Sequence, residues 1–120
     1  MQVLKAHKGT RAMLTQRITD KDSCELLVSG RIDGEGASQL EAEFLALLRN
    51  KKEDDEWEIK RIFVNLSGAT FLCSAGLGHL MHYRLSMKKR GGQLLVTRPS
   101  PEVAAVLKLA EVYDQVVEKI

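Results

Sequence analysis

The sequence predicts an α/β fold, in which helices pack on a mixed, mostly parallel sheet of four or five strands that opens with an antiparallel hairpin. Two observations predict this class. Short apolar, β-branched runs alternate with longer segments of helical periodicity from Cys24 onward, a pattern typical of parallel strands joined by crossover helices. The first two apolar runs are separated only by the turn-forming residues Thr19–Ser23, which predict a hairpin.

The first half of the chain is predicted to form two strands, a loop and a helix. The hairpin strands are predicted at Arg11–Ile18 and Cys24–Ser29, and the glycine-rich segment Gly30–Gly36 is predicted as a loop. A helix is predicted over Ala37–Asn50, because its apolar residues recur on one helical face: Ala37, Leu40, Phe44, Leu47 and Leu48. The charged segment Lys51–Lys60 is predicted as a connection. Two apolar residues are expected to anchor the far end of this connection: Trp57 and Ile59.

The centre of the chain predicts a strand followed by a helix. The apolar run Arg61–Leu66 predicts a strand buried on both faces. The Ser-Gly pair in Ser67–Phe71 predicts a short connection, and a helix is predicted from Ser74 onward. Apolar residues four positions apart predict the buried face of this helix: Leu77, Met81 and Leu85.

The last part of the chain predicts a further strand and helix. Gly91–Gly92 is predicted to end the central helix, because glycine accepts the positive φ found just past a helix end. A strand is predicted at Gln93–Thr97, and Ser100–Pro101 predicts the cap and first residue of a helix. Its buried face is predicted from four apolar residues: Val103, Val106, Leu107 and Ala110. The segment Tyr113–Ile120 fits a strand or a helical end, and a strand from about Gln115 is favoured.

The composition is that of one ordinary globular domain, predicted to span residues 1–120. The net charge of +2 argues against nucleic acid or an acidic membrane as a direct partner. No apolar run is long enough to cross a membrane and no signal-peptide core is present, so the chain is predicted to be cytoplasmic. The expected oligomeric state is a monomer or weak dimer. Cys24 and Cys73 lie in apolar runs and are expected to be buried, reduced thiols.

The sequence lacks the motifs of nucleotide-binding and catalytic sites. Gly76 and Gly78 begin a G-x-G-x-x-G pattern, but Met81 occupies the third glycine position. Leu72 stands two positions before Ser74, where a serine esterase elbow needs glycine. Because no acid–base pair or nucleophile triad is found either, the chain is predicted to be no enzyme and to need no cofactor.

Two histidines and a basic cluster lie on the central helix. His79 and His82 share a face but have no third ligand in range, so no metal site is predicted and the two side chains are expected to face solvent or a partner. The end of the helix is basic through four residues: Arg84, Lys88, Lys89 and Arg90. Their expected role is to stabilise the negative helix end, with a secondary role in steering an acidic partner.

Ser74 and Asp33 are the two candidate site residues that the pattern itself indicates. A serine before a helix is a good N-cap, and the same place also receives a phosphate well, because free N–H groups and the positive end of the helix dipole point there. Asp33 is a turn or cap residue by default. If strands two and three are parallel neighbours, however, Asp33 and Ser74 share one edge of the sheet, where sites of open α/β sheets lie.

The segments VSGRIDGEGASQLEAEFLALL and IFVNLSGATFLCSAGLGHLM resemble the STAS family, which comprises anti-sigma factor antagonists and related domains of sulphate transporters. The resemblance covers Cys24–Tyr113. Its most specific part is the S-x-G-L-G core at Ser74–Gly78, followed by the downstream R-G-G-x-L and S-P-x-V patterns. The resemblance implies a STAS-like fold, in agreement with the α/β prediction.

The resemblance also implies a function. It implies an anti-sigma factor antagonist that binds an anti-sigma factor serine kinase, is released when that kinase phosphorylates Ser74, and is reset by a phosphatase. The predicted partner-binding residues lie in two loops: Asp33, Gly34, Cys73, Ser74, Ala75, Gly76, Leu77 and Gly78.

Two positions depart from the family pattern. Cys73 and Asn65 stand where the family usually has aspartates, and both changes are expected to remove negative charge close to Ser74. A second reading is therefore a STAS scaffold or accessory subunit of a signalling or membrane-transport complex that is not phosphorylated. A third is a nucleotide-binding sensor, since some members of the family bind nucleotides.

Overall fold

The computed structural model describes residues 2–3, 12–49 and 59–119, and consists there of five strands and four helices. The strands are β1 (Gln2–Val3), β2 (Met13–Asp20), β3 (Ser23–Ile32), β4 (Arg61–Leu72) and β5 (Gln93–Thr97). The helices are α1 (Gly34–Arg49), α2 (Ser74–Lys89), α3 (Pro101–Leu109) and α4 (Tyr113–Val116). The expectations for Arg11, for Asn50 and for residues 51–58 of the predicted connection, Trp57 among them, lie outside the described residues.

The strands form one mixed sheet in the order β1-β2-β3-β4-β5. The pairs β1–β2 and β2–β3 are antiparallel, whereas β3–β4 and β4–β5 are parallel. Helices α1 and α2, which connect the parallel neighbours β3–β4 and β4–β5, pack against each other, as expected for right-handed crossovers that place both helices on one face of the sheet. The predicted fold class, a mostly parallel mixed sheet that opens with an antiparallel hairpin, is confirmed.

The core lies between the sheet and its helices, and besides α1 and α2 it includes Val103 and Leu107 of α3 and Val116 of α4. Paired residues of neighbouring strands form buried rows, of which one runs through Cys24, Ile62 and Leu94 and the next through Leu26, Val64 and Val96. The helices add large buried side chains: Leu40, Phe44, Leu47, Leu80, Tyr83 and Met87. On the opposite face of β4, Phe63 is only partly buried, so the prediction of a central strand buried on both faces was wrong at that position.

Strand β4 is longer than the sequence predicts. The segment Ser67–Phe71, predicted as a connection, continues the strand and pairs with the end of β3. Two register shifts in this pairing accommodate extra residues of β4. Gly68 is needed for close approach, because a Cβ there would lie 2.9 Å from the Cβ of Ser29. The predicted loop Gly30–Gly36 is likewise wrong at both ends, since β3 runs to Ile32 and α1 begins at Gly34.

Helix α2 turns a different face to the core from the one predicted. Its buried residues are Gly76, Leu80, Tyr83 and Met87. Of the predicted stripe, Leu77 and Met81 are only partly buried, and Leu85 is 49% exposed. The helix carries two apolar stripes about 130° apart, and periodicity alone does not rank them.

The predicted C-terminal end of α2 and the predicted start of α3 are confirmed. Helix α2 ends at Lys89, and Gly91 follows with a φ of 79°. Ser100 caps α3, because its Oγ accepts a hydrogen bond of 3.2 Å from the N–H of Val103, and Pro101 is the first helical residue.

The C-terminal expectation was wrong in two respects. Ala110, predicted on the buried face of α3, is exposed just past the helix end. Residues Tyr113–Val116 form the short helix α4, and strand pairing is limited to an isolated parallel bridge between Val96 and Val117. Within the described residues, no helix has the length and apolar character required to span a membrane.

Candidate functional site

The candidate site is built from two strand-to-helix junctions that lie side by side. Strand β3 passes through Asp33 into α1, and β4 passes through Cys73 into α2. The last residues of the two strands, Ile32 and Leu72, are register partners, and the N–H of Cys73 donates to the carbonyl oxygen of Ile32 over 2.9 Å. The prediction that the Asp33 and Ser74 loops share one edge of the sheet is therefore confirmed.

The two junctions have the same local geometry, offset by 40 positions. Asp33 Oδ1 accepts a hydrogen bond from the N–H of Gly36 at 3.0 Å. Cys73 Sγ accepts one from the N–H of Gly76 at 3.4 Å. Each side chain thus caps the helix that follows it, with an oxygen in one case and the weaker acceptor sulfur in the other.

Ser74 is not the cap that the sequence predicted. The N-cap of α2 is Cys73, which has extended backbone angles (φ −79°, ψ 168°), and Ser74 is the first residue of the helix. The physical reason is the length of β4, which keeps the chain extended through Leu72 and shifts the helix start by one residue. The sulfur performs the capping, and the Ser74 side chain lies exposed at the mouth of the junction.

Glycines at the site fall into two kinds. Gly76 is buried, and a Cβ there would lie 2.8 Å from Leu72 Cδ1 and 3.0 Å from Ile32 Cγ2, so glycine lets α2 begin close to the sheet. Gly34 and Gly78 are exposed, and a Cβ at either would meet no atom within 4 Å. The packing of the described residues therefore gives no reason for glycine at these two positions.

The predicted partner-binding residues differ in exposure. Asp33, Cys73 and Leu77 are partly exposed, and Gly76 lies beneath the surface. The exposed members of the set are Gly34, Ser74, Ala75 and Gly78. A protein that docks on this edge would contact the exposed residues directly, whereas Gly76 sets the position of the helix that carries them.

The electrostatics of the junction favour a negative group at Ser74. The first turn of α2 contains no acidic residue, and the first N–H groups of any helix lack intrahelical acceptors. Of these donors, the N–H of Gly76 is used by Cys73 Sγ. The positive end of the helix dipole thus lies beside the Ser74 hydroxyl.

Asn65 lies elsewhere, which corrects the expectation that it changes the charge close to Ser74. It sits in the middle of β4 opposite Leu27, roughly 20 Å along the strand from Cys73. Its Nδ2 donates to Glu25 Oε2 at 3.2 Å, and its Oδ1 accepts from the N–H of Ser67 at 3.0 Å. Of the two departures from the family pattern, only Cys73 is local to the candidate site.

Sequence reasoning missed an exposed pair beside the two junctions. Arg31 and Phe71 are register partners one position before the ends of their strands. The guanidinium carbon of Arg31 lies 4.5 Å from the centroid of the Phe71 ring, which is 39% exposed. The signal was an aromatic residue in a segment read as a turn, and the bulges of β4 hid the alternation that would have placed it outward.

The two histidines of α2 lie in different surroundings. His79 Nδ1 lies 3.5 Å from Glu41 Oε2 on α1, and the hydroxyl of Tyr83 donates to the same carboxylate at 3.4 Å. Burial, followed by the nearby Glu41 charge, raises the pKa of Tyr83. His82 is exposed, in line with the expected solvent-facing role. Among residues 12–49 and 59–119, no group of three His, Cys, Asp or Glu side chains is arranged to hold a metal ion.

Solved structures with similar folds include anti-sigma factor antagonists. The antagonist from Mycobacterium paratuberculosis is 20% identical, with a TM-score of 0.74 over 92% of this chain and 89% of that chain. SpoIIAA in its unphosphorylated form is 16% identical, with a TM-score of 0.72 over 89% of this chain and 88% of that chain. Its phosphorylated form, from Bacillus, is 14% identical, with a TM-score of 0.67 over 89% and 91%. These identities show a shared fold.

A domain of a membrane protein has the same fold. The murine anion transporter Slc26a9 matches 90% of this chain at 10% identity and a TM-score of 0.64, and the match covers 19% of the transporter. No curated protein matches the sequence. The family model described as "Mlab, STAS domain" matches residues 15–118, which is most of the chain. The protein therefore belongs to the STAS domain family.

Proposed function

We propose that this STAS domain is an anti-sigma factor antagonist that binds an anti-sigma factor serine kinase through the Asp33 and Ser74 junctions and is released when Ser74 is phosphorylated. The observation that carries the proposal is the exposed hydroxyl of Ser74 at the first residue of α2, beside the Asp33 junction. In this proposal the chain acts by binding its partner and not by catalysis, and the complex forms in the cytoplasm. A phosphatase restores the unphosphorylated form.

The position of Ser74 suits a phosphate. Phosphorylation adds about −1.5 to −2 charges at neutral pH, and a helix N-terminus stabilises such an anion through its free N–H groups and its dipole. Because the Ser74 side chain is exposed, the phosphate displaces no buried group. The folded protein is therefore expected to tolerate the modification without rearrangement.

The same charge would break the complex. Ser74 shares its surface with Gly34, Ala75 and Gly78, small residues that allow a partner to approach closely. A phosphate in that contact would be bulky, and it would face the carboxylates or nucleotide phosphates of a bound kinase. Like charges across an interface cost several kcal/mol, which is enough for release without a conformational change.

Cys73 modifies this scheme at one point. Its sulfur keeps the capping geometry of the junction, so the orientation of α2 does not require the aspartate that the family usually has there. The negative charge of that aspartate is missing beside Ser74. A kinase that recognises this substrate is therefore expected to rely on contacts other than a carboxylate at position 73.

A second candidate function is a STAS accessory subunit that is not phosphorylated. The likeness to a domain of the anion transporter Slc26a9 favours it. In that case the same edge of the sheet would hold a protein partner permanently. The two candidates differ in whether Ser74 receives a phosphate.

The test is phosphorylation by the kinase that co-purifies with the wild-type chain. With ATP, the wild-type chain is expected to gain the mass of one phosphate, and Ser74→Ala is expected to gain none. Ser38→Ala is the matched control, because Ser38 is also exposed near the start of a helix and should leave the mass gain intact. A wild-type chain that binds a partner and takes no phosphate would instead support the accessory subunit.

A further inference from the structure

The outward face of α2 carries a continuous line of residues from one end of the helix to the other. Ser74, Gly78, Met81, Leu85 and Lys89 are spaced by three or four positions and therefore lie on one helical face. This outer stripe points away from the buried residues of the helix. Met81 is partly buried and the other four are exposed, with Leu85 49% exposed. The stripe thus has a hydroxyl at one end, apolar side chains in its middle and a cation at the other end.

The segment that carries the outer stripe has basic side chains and no acidic ones. Residues 59–101 contain no Asp or Glu and seven Lys or Arg, although the whole chain has 16 acidic residues. The positive end of the helix dipole lies at Ser74, and Lys88 and Lys89 occupy the last turn. A protein that covers the stripe therefore meets positive potential at both ends.

A cavity opens on the flank of the stripe, between α2 and the edge strand β5. It has a volume of about 230 Å³, and its lining includes Arg84, Lys88, Gln93 and Leu94. Arg84 is fixed in place, because its Nε donates to the carbonyl oxygen of Gln115 at 3.1 Å. The remaining guanidinium nitrogens have no other hydrogen-bond partner among the described residues.

The backbone of β5 adds a donor to this cavity. The N–H of Gln93 donates to Lys60 on the β4 side, and backbone groups of successive strand residues point to alternate sides. The N–H and carbonyl of Leu94 therefore point to the outer edge of β5, where Val117 pairs only with Val96. Two cations and a backbone N–H around one small cavity are suited to a carboxylate.

We propose that the outer stripe and this cavity dock an acidic amphipathic helix of the partner protein. An apolar side chain of that helix packs on Leu85, and a carboxylate enters the cavity beside Arg84 and Lys88. The proposal rests on the proposed function in one respect: the docked protein is taken to be the one that phosphorylation of Ser74 releases. It extends the contact surface from the junctions along the full length of α2.

A helix fits this surface better than a second copy of the chain. The stripe is straight and about 22 Å long, from the rise per residue of a helix, and Gly78 lets another backbone come close. In a symmetric dimer through this face, two helices without an acidic residue and with basic last turns would oppose each other, and like charges across an interface are unfavourable. An acidic partner has the complementary charge, and a phosphate on Ser74 would repel it from one end of the stripe.

The test uses a defined probe on the intact chain. The isotope-labelled protein is titrated with a synthetic amphipathic helix that has a leucine stripe flanked by glutamates, and amide shifts are recorded by NMR. A peptide with the same leucines flanked by lysines is the control probe. We expect the glutamate peptide to shift the amides of Gly78, Leu85, Lys89 and Leu94, and the lysine peptide to shift none of them. Equal binding of both peptides, or shifts confined to other elements, would overturn the proposal.

Two leucine variants distinguish specific docking on α2 from nonspecific binding of the peptide to exposed leucines. Leu85→Asp is expected to weaken binding of the glutamate peptide roughly tenfold or more, because an apolar contact is lost and a like charge is added. Leu45→Asp is the matched control, since Leu45 is a 37% exposed leucine on α1 that has Glu41 one turn away. Circular dichroism checks that both variants keep the native fold. Equal losses in the two variants would contradict docking on α2.

The outcome is independent of the phosphorylation test. A chain that binds the glutamate peptide on α2 but takes no phosphate at Ser74 would contradict the proposed function and keep the docking surface. A chain that takes the phosphate but shows no shifts on α2 would support the proposed function and contradict the docking surface. The two failures are therefore distinguishable.

Discussion

The backbone N–H of Cys73 donates a 2.9 Å hydrogen bond to the carbonyl oxygen of Ile32, and this bond ties the start of α2 to the end of the neighbouring strand. Because Ile32 leads directly into Asp33, the bond also fixes the distance between the two junctions of the candidate site. The caps, the glycines and the exposed serine are arranged around it.

The sulfur cap of α2 predicts the effect of replacing Cys73. Cys73→Ser puts a stronger acceptor in the place of Sγ, so we expect the free energy of unfolding to rise by about 0.5–1 kcal/mol. Cys73→Ala removes the acceptor and should give a less stable protein than Cys73→Ser. Urea unfolding measures both. Equal stability of the serine and alanine variants would show that the contact with the Gly76 N–H does not cap the helix.

The two glycines of the S-x-G-L-G core are predicted to respond in opposite directions to alanine. Gly76→Ala places a methyl group 2.8 Å from Leu72 Cδ1 and 3.0 Å from Ile32 Cγ2, so we expect a loss of about 1–2 kcal/mol in unfolding free energy. Gly78→Ala meets open space and should gain about 0.5–1 kcal/mol from helix propensity. Thermal unfolding of the two variants compares them directly, and a stabilised Gly76→Ala would refute the tight packing of this helix start.

Arg90 is predicted to stabilise the end of α1 rather than only the solvated end of its own helix. Its Nη1 donates to the carbonyl oxygen of Leu48 at 2.7 Å, and burial lowers the pKa of its guanidinium. Removal of this bond in Arg90→Ala should cost about 1–3 kcal/mol, because the bond carries a charge and satisfies a carbonyl at a helix end. Lys89→Ala is the control on an exposed neighbour and should change stability little. Similar effects in both variants would argue against a specific role of Arg90.

The buried carboxyl of Glu43 predicts a pH dependence of stability. Burial raises the pKa of Glu43 above its ordinary value of 4.5, so between the two values the folded state holds the proton more tightly than the unfolded state. Its contribution to stability therefore falls as pH rises from about the ordinary value through the raised one, and stays low above it. Glu43→Gln should be more stable than wild type at pH 7, and the difference should shrink as the pH is lowered below 4.5. A difference that grows on acidification would contradict this sign.

The sequence predicted the parts of the fold that depend on long patterns. The alternation of apolar runs and helical stripes was sufficient for the mixed sheet, and the shared edge of Asp33 and Ser74 followed from the parallel order of β3 and β4. The cap and proline at Ser100 and Pro101 and the glycine after α2 were also placed correctly, because their chemistry is local.

The wrong predictions concern segments whose structure is determined by tertiary contacts and not by local sequence. A Ser-Gly pair predicts a turn, but Gly68 packs against Ser29 inside a bulged strand. The extension of β4 in turn moved the cap from Ser74 to Cys73. Periodicity did not rank the two apolar stripes of α2, since the choice depends on which stripe fits the sheet. Strand β1, which pairs with β2, had not been predicted because it is only two residues long.

The central claim is that a phosphate on Ser74 separates this protein from its partner by its charge and bulk, without a conformational change. The most direct measurement is the dissociation constant of the kinase complex, determined by calorimetry for the chain before and after phosphorylation at Ser74, with circular dichroism of both forms. The account predicts an affinity that falls by at least roughly a hundredfold, corresponding to about 3 kcal/mol, while the spectrum stays the same. An unchanged dissociation constant, or a loss of affinity accompanied by unfolding, would contradict it.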